Sequence, residues 1–221
     1  MMDVLGVTFG QYHTFKDWGL FQSAPVALSA PVLSSNYITI PGRNGPLDLT
    51  EALTGQPVYE SRTLSGSFFT VSTPEVWPET FTAILNAIHG QRMKIMLDED
   101  PDYYLEGRIT VGNAGYDSGV YTLPITAVCD PYKLHHLSTS LAFDLTTTSR
   151  ELTLTNDRMA VCPEITVTAE TTLIFGDTSF TLSAGTWKLV GIQLQAGENR
   201  FTARTNSGTG TITFTYQEGS L

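Results

Sequence analysis

The sequence predicts a mainly β protein of two domains, with a single α-helix in the first. Three observations carry this. Through most of the chain apolar residues alternate with Thr, Ser or other polar residues, the period of a half-buried strand. Only one stretch, from Glu79 to His89, repeats its apolar residues on the 3.6-residue period of a helix. Composition also changes near Tyr132. Residues 1–132 carry 6 basic and 14 acidic side chains; residues 133–221 carry 6 and 8, with 19 of the 32 threonines. The domains are therefore expected at 1–134 and 135–221. The boundary falls in Cys129-Asp130-Pro131-Tyr132-Lys133-Leu134-His135-His136, where a proline intervenes and apolar periodicity lapses.

In the first domain, Leu64, Gly66, Phe68 and Thr70 fall on one face of a strand. Phe81, Ile84, Leu85 and Ile88 form the helical stripe at i, i+3, i+4 and i+7. Pro78 suits the first turn, where its missing N–H is no loss, and Gly90 suits the position past the end. His89 closes the helix, where a cation would favour the negative end of the dipole. Strands at 92–97 and 103–111 then face each other across Asp98-Glu99-Asp100-Pro101-Asp102, a hairpin with a turn-rich loop. The second domain is β throughout. Leu152/Leu154, Ile165/Val167, Phe180/Leu182, Trp187/Leu189, Ile192/Leu194 and Ile212/Phe214/Tyr216 each alternate with polar partners. Gly176-Asp177, Ala184-Gly185, Gly197-Glu198-Asn199 and Asn206-Ser207-Gly208 supply turns between them. Short strands at regular spacing imply a sandwich or small barrel, with Trp187 partly or fully buried.

Composition excludes some functions. The chain has 221 residues, a net charge of -10, 41% hydrophobic and only 15% charged residues. That apolar content is enough to offset chain entropy, so disorder is excluded. The acidic balance opposes a phosphate-binding surface, which needs clustered Lys and Arg. The start of the chain lacks the basic segment and apolar run of a secretory leader. The uncharged stretch from Trp18 to Gly42 is broken by Pro25, Pro31 and Pro41 and is not a membrane span. Cys129 and Cys162 lie far apart without CxxC spacing. They read as two buried thiols rather than as a disulfide or metal pair.

Reactive chemistry is nearly absent. There is no GxSxG, HExxH, GxxxxGKT or GxGxxG motif, and no nucleophile–base–orienter set, so no enzyme is expected. No catalytic, cofactor or metal residue is assigned. His135-His136 offers half a metal site at best, because neighbours on a strand point apart, and it reads as a solvated linker. The acidic run 98–102 does not match a calcium loop and reads as a solvated turn. Trp77, Tyr103 and Tyr104 could stack on a sugar, or serve as core and interface.

Read in order, several blocks become specific. They are Phe9-Gly10, Asp17-Trp18-Gly19-Leu20, Ile40-Pro41-Gly42-Arg43-Asn44-Gly45-Pro46-Leu47-Asp48-Leu49-Thr50, Tyr59-Glu60-Ser61-Arg62, Leu85-Asn86-Ala87-Ile88-His89-Gly90, the run from Asp98 to Arg108, and Cys129-Asp130-Pro131-Tyr132. This series closely resembles the distal tail proteins (Dit) of long-tailed, non-contractile bacteriophages, particularly those of Gram-positive hosts. The second half resembles the family less distinctively, through Asn156 to Pro163, Ala196-Gly197-Glu198-Asn199 and the end from Gly210 to Tyr216. Asn44 stands where the family commonly has Asp, and Ile88 where it has Leu. Both replacements suit a turn and a helix core.

The resemblance implies a structural protein of the virion tail tip, assembled in the bacterial host cytoplasm. Residues 1–134 would form a ring-building β domain, and 135–221 a galectin-like β-sandwich. Six copies would close a homohexameric ring between the tail tube protein, the end of the tape-measure protein and the tail-associated hub or fibre protein. In some phages receptor-binding proteins attach as well. DNA would pass through the channel without specific binding, and no membrane or cofactor is implied. At this length there is no room for an inserted carbohydrate-binding module.

Two regions follow as candidates for these contacts. The stretch from Phe21 to Pro41 would meet a neighbouring subunit, or else cover its own core. Asp98, Glu99, Asp100 and Asp102 would line the channel, or else lie on the ring's outer rim. The alternative from another class is a carbohydrate-binding protein acting at the host wall, which leaves the first domain unexplained.

Overall fold

In the computed structural model, which describes residues 4–221, the strand Arg62–Val71 buries Arg62, Leu64, Gly66, Phe68 and Thr70 and exposes Thr63, Ser65, Ser67 and Val71. This is the period-2 pattern read from its sequence, and it sets the inner face of a large antiparallel sheet. From one edge the strands run Tyr12–His13, Val7–Phe9, Arg92–Leu97, Tyr103–Val111, Val120–Cys129, Arg62–Val71 and Phe21–Gln22. The expected hairpin is present: Arg92 pairs with Arg108 and Ile95 with Leu105.

The helix Trp77–Ile88 covers that inner face. Trp77, Ile84 and Ile88 are buried in one cluster with Phe9, Leu20, Phe68 and Ile125, with Phe81 and Leu85 packed against it. Fully burying each large apolar side chain is worth roughly 1.5–3 kcal/mol, which is what holds a helix with no side-chain N-cap. Pro78 stands in its first turn, and Gly90 follows at φ +74°. His89 caps the helix end by a hydrogen bond to the sheet. Its Nδ1 accepts the Val111 N–H at 3.1 Å, which ties the helix end to the sheet.

A second helix, Thr14–Trp18, was not expected. Five residues are too few for a periodic stripe, and its cap is a histidine. The Phe15 and Lys16 N–H groups both donate to His13 Nδ1, and Gly19 ends the helix at φ +63°. These elements belong to one compact unit ending at Lys133; a second unit spans Leu134–Ser220.

The second unit is a two-sheet sandwich. One sheet orders Thr139–Leu145, Gly210–Tyr216, Glu164–Val167 and Gly185–Lys188; the other orders Arg150–Asn156, Gly197–Thr205, Thr171–Phe175 and Thr178–Leu182. Leu145, Ile165 and Phe214 from the first meet Leu154, Leu173 and Phe201 from the second in one apolar core. Thr fills many outward positions, as the alternation predicted. Two details differ from that reading. Gly197-Glu198-Asn199 opens the strand Gly197–Thr205, paired to residues 154–156, instead of forming a turn. Ile192 and Leu194 are fully buried, but only Leu194 touches a ladder, through a single bridge to Val161. Trp187 falls at the partly buried end of the expectation, 37% exposed on a strand whose four residues all face solvent. Its indole N–H donates to the Ser183 carbonyl at 2.9 Å. Cys129 is buried and Cys162 only half-buried, both as free thiols. Among the described residues no helix is long and apolar enough to cross a membrane.

Candidate functional site

The acidic hairpin tip divides into two pairs with different fates. Asp98 folds back: its Oδ2 accepts from the Gly6 N–H at 2.9 Å and lies 3.0 Å from His13 Nε2. Because His13 Nδ1 already accepts two backbone N–H groups, the ring hydrogen sits on Nε2 and is donated to Asp98. Asp100 is also engaged, accepting from Lys133 Nζ at 2.7 Å, while the same ammonium sits 4.3 Å from the Tyr103 ring centre. Glu99 and Asp102 are exposed and have no ion pair or hydrogen bond among the described residues. Of the four carboxylates expected to line a channel, two are therefore fastened to their own unit and two stand free.

The aromatic residues weighed as a sugar platform are committed elsewhere. Trp77 is 6% exposed and stacks on Tyr121 at 4.5 Å and on Phe81 at 5.8 Å between ring centres. Tyr104 is buried beneath Lys94, whose Nζ lies 4.2 Å from its ring centre. The cavity beside Tyr103, Tyr104, Asp100 and Lys133 has a volume of only about 20 Å³, room for about one water. Nothing here offers a flat ring to a ligand.

Two blocks quoted from the sequence prove to be spatial neighbours. Arg62 stands opposite Cys129 in the ladder, donates from Nε to the Ser29 carbonyl at 2.9 Å, and from a terminal nitrogen to the Pro131 carbonyl at 3.3 Å. Burial lowers the Arg62 pKa from its ordinary value. Tyr59 meets Tyr132 edge to face at 5.9 Å. Asp130 pairs with Arg92 at 2.5 Å and raises its pKa, through the hydrogen bond first and the charge second. These residues hold the root of the segment that follows Leu28.

That segment is the most unusual surface of the chain. From residue 32 to residue 60 no side chain is buried. Leu33 bridges Tyr59, and farther out Tyr37 and Ile38 pair with Asp48 and Leu47, making a long two-stranded arm. Gly42 and Gly45, at φ +82° and +76°, turn its tip through the Ile40–Thr50 block. Val32, Leu33, Tyr37, Ile38, Leu53 and Val58 are all exposed, Leu53 at 98%. An isolated two-stranded hairpin is at best marginally stable, and this one shows apolar side chains without a core of its own. The stretch from Phe21 to Pro41, expected to meet a neighbour, divides accordingly. Phe21–Gln22 and Ala27–Leu28 pair with the Arg62–Val71 strand, and residues 32–41 enter the arm.

A third grouping went unseen in the sequence. His135, Asp157 and Glu218 converge so that one ligand atom from each lies within 4.8 Å of the others, while His136 faces solvent. Separations of 22 and 83 positions along the chain leave no local signal for it.

No known family profile matches the chain, and no curated protein matches it in sequence. Among solved structures, it is similar to the SPP1 Dit (gp 19.1) protein, described as a paradigm of the hub adsorption apparatus in phages infecting Gram-positive bacteria. The TM-score is 0.68 at 16% identity, over 97% of this chain and 99% of the other. The chain has the Dit fold. The likeness spans both units, including the second half, where the sequence blocks were least distinctive.

Proposed function

We propose that this chain is a structural component of a phage tail tip: a homohexameric ring that joins the tail tube to the hub and host-recognition proteins around the DNA exit channel. The observation that carries the reading is the end-to-end likeness to SPP1 Dit, 97% of one chain against 99% of the other. The exposed apolar arm supports it independently. A closed ring needs a heterologous contact, in which one surface of a subunit meets a different surface of the next. An arm without a core is suited to that role, since laying its apolar residues on a neighbour supplies the burial it lacks.

In this reading residues 1–134 build the ring, and residues 135–221 form an autonomous galectin-like sandwich. One face receives the tail tube protein and the tape-measure end; the other receives the tail-associated hub or fibre protein, with receptor-binding proteins as further partners. Glu99 and Asp102 face the lumen, where negative charge keeps phosphates from adhering. The chain catalyses nothing.

Electron microscopy and sizing of the purified full-length chain test the proposal. Six-fold rings are expected, with chains truncated after Leu134 keeping the ring. A protein that stays monomeric and also occupies a position without six-fold symmetry in tail tips would overturn it. Saturable glycan binding lost on Trp187→Ala would favour the wall-recognition alternative.

A further inference from the structure

The first observation is the convergence of His135, Asp157 and Glu218 within one unit. His135 Nε2 lies 3.3 Å from Asp157 Oδ2, and the Glu218 carboxylate completes a set within 4.8 Å. Tetrahedral zinc with bonds of about 2.0–2.2 Å holds its donors about 3.3–3.5 Å apart, so the His–Asp pair already has the edge length of such a site. The donor set also fits in kind. A neutral imidazole with two carboxylates suits a borderline divalent transition ion and balances its double charge, whereas calcium and magnesium avoid nitrogen ligands.

The second observation is that the three segments are tied together chiefly through backbone groups. The His135 N–H donates to the Glu218 carbonyl at 3.0 Å. The Arg158 and Met159 N–H groups both donate to the Gly219 carbonyl, at 3.1 and 2.9 Å. Gln217 donates from its side-chain amide to the His135 carbonyl. Thr139 donates its hydroxyl to one Glu218 carboxylate oxygen at 2.5 Å, which orients the carboxylate. Orienting hydrogen bonds of this kind characterise metal sites beyond the ligands themselves. At Gly219 a Cβ would lie 2.9 Å from that of Met159, so the backbones approach as closely as glycine permits.

We infer that His135, Asp157 and Glu218 form a site for a zinc-type divalent transition ion, with water completing its coordination. Its position gives it a structural role. His135 lies at the beginning of the second unit and Glu218 near its end, so an ion would clip together the two ends of the sandwich, as structural metals do elsewhere by binding the folded state alone. The inference is independent of the tail-tip reading, and either can fail without the other.

The test uses the untagged full-length chain after chelator treatment, titrated with Zn²⁺ by calorimetry. One ion per chain at micromolar free metal is expected, with a higher melting temperature of the second unit and no comparable response to Ca²⁺ or Mg²⁺. Co²⁺ should give visible bands without thiolate charge transfer, which separates this site from Cys129 and Cys162. H135Q, D157N and E218Q should each weaken binding by about tenfold or more, and T139V by a smaller factor. H136Q should leave it unchanged. Circular dichroism of each metal-free variant establishes that it remains folded. Absence of saturable binding, or binding that survives both H135Q and E218Q in folded protein, would overturn the site.

Discussion

Gly107 and Cys129 stand opposite each other in the ladder between Tyr103–Val111 and Val120–Cys129, with no space for another atom between them. A Cβ at Gly107 would lie 2.7 Å from Cys129 Sγ and 3.0 Å from the Val128 carbonyl oxygen. The sheet centre is thus closed by a glycine whose lack of a side chain makes room for a thiol. Gly107→Ala should destabilise the first unit by about 1–3 kcal/mol, the usual cost of overpacking. Urea denaturation followed by tryptophan fluorescence reads this. Adding Cys129→Ala should recover only part of the loss, because the Val128 carbonyl remains in the way.

Cys129 also makes stability depend on pH. Burial pushes its thiol up from 9.0 to about 11. A raised acid pKa means that the folded chain holds its proton while the unfolded chain loses it. The contribution is therefore complete below about pH 9 and falls as pH rises through about 11. The first unit should lose about 2–3 kcal/mol across that window, and Cys129→Ala should flatten this part of the profile. Thiol reagents at neutral pH should modify half-buried Cys162 well before Cys129, as mass spectrometry would record.

His13 joins a helix cap to the hairpin tip, so its replacements should separate the two functions. His13→Ala removes both the cap and the Asp98 contact and should cost about 1–3 kcal/mol. His13→Asn keeps a cap acceptor and should recover part of that. Asp98→Ala, which removes the contact and leaves the cap, should resemble His13→Asn. If denaturation curves show His13→Asn no better than His13→Ala, the capping role is wrong.

Excising the arm tests its role in assembly. Replacing residues 35–57 with a short Gly-rich turn keeps the Leu33–Tyr59 bridge and removes no buried side chain. Stability of the monomer should change by no more than about 0.5 kcal/mol. Ring formation, measured by light scattering and microscopy, should be lost. Rings that persist would place the subunit contact elsewhere.

The two free carboxylates make a narrower electrostatic test than all four. In a phage carrying this chain, Glu99→Lys with Asp102→Lys should slow DNA release at low salt, and release should recover as salt rises. Asp98→Lys and Asp100→Lys should instead lower stability, because they break the contacts with His13 and Lys133. Unchanged release with normal assembly would put Glu99 and Asp102 outside the channel.

The sequence by itself determined what is written in short periods. Alternation from Leu64 to Thr70 and the stripe from Phe81 to Ile88 each report which face a residue buries, since a strand or helix repeats its geometry every few residues. Gly90 and Gly176 mark turns for the same local reason. The five-residue helix after His13 escaped because one turn is too short to show a period. The fate of the acidic tip was decided only in three dimensions. Asp98 is held by Gly6 and His13, 92 and 85 positions away, and Asp100 by Lys133, 33 away. The convergence of His135 with Asp157 and Glu218, and the absence of any core beneath the arm, were decided there too. Each depends on which distant segments the folded backbone brings together, and hydrogen bonds and ion pairs across such separations leave no periodic trace along the chain.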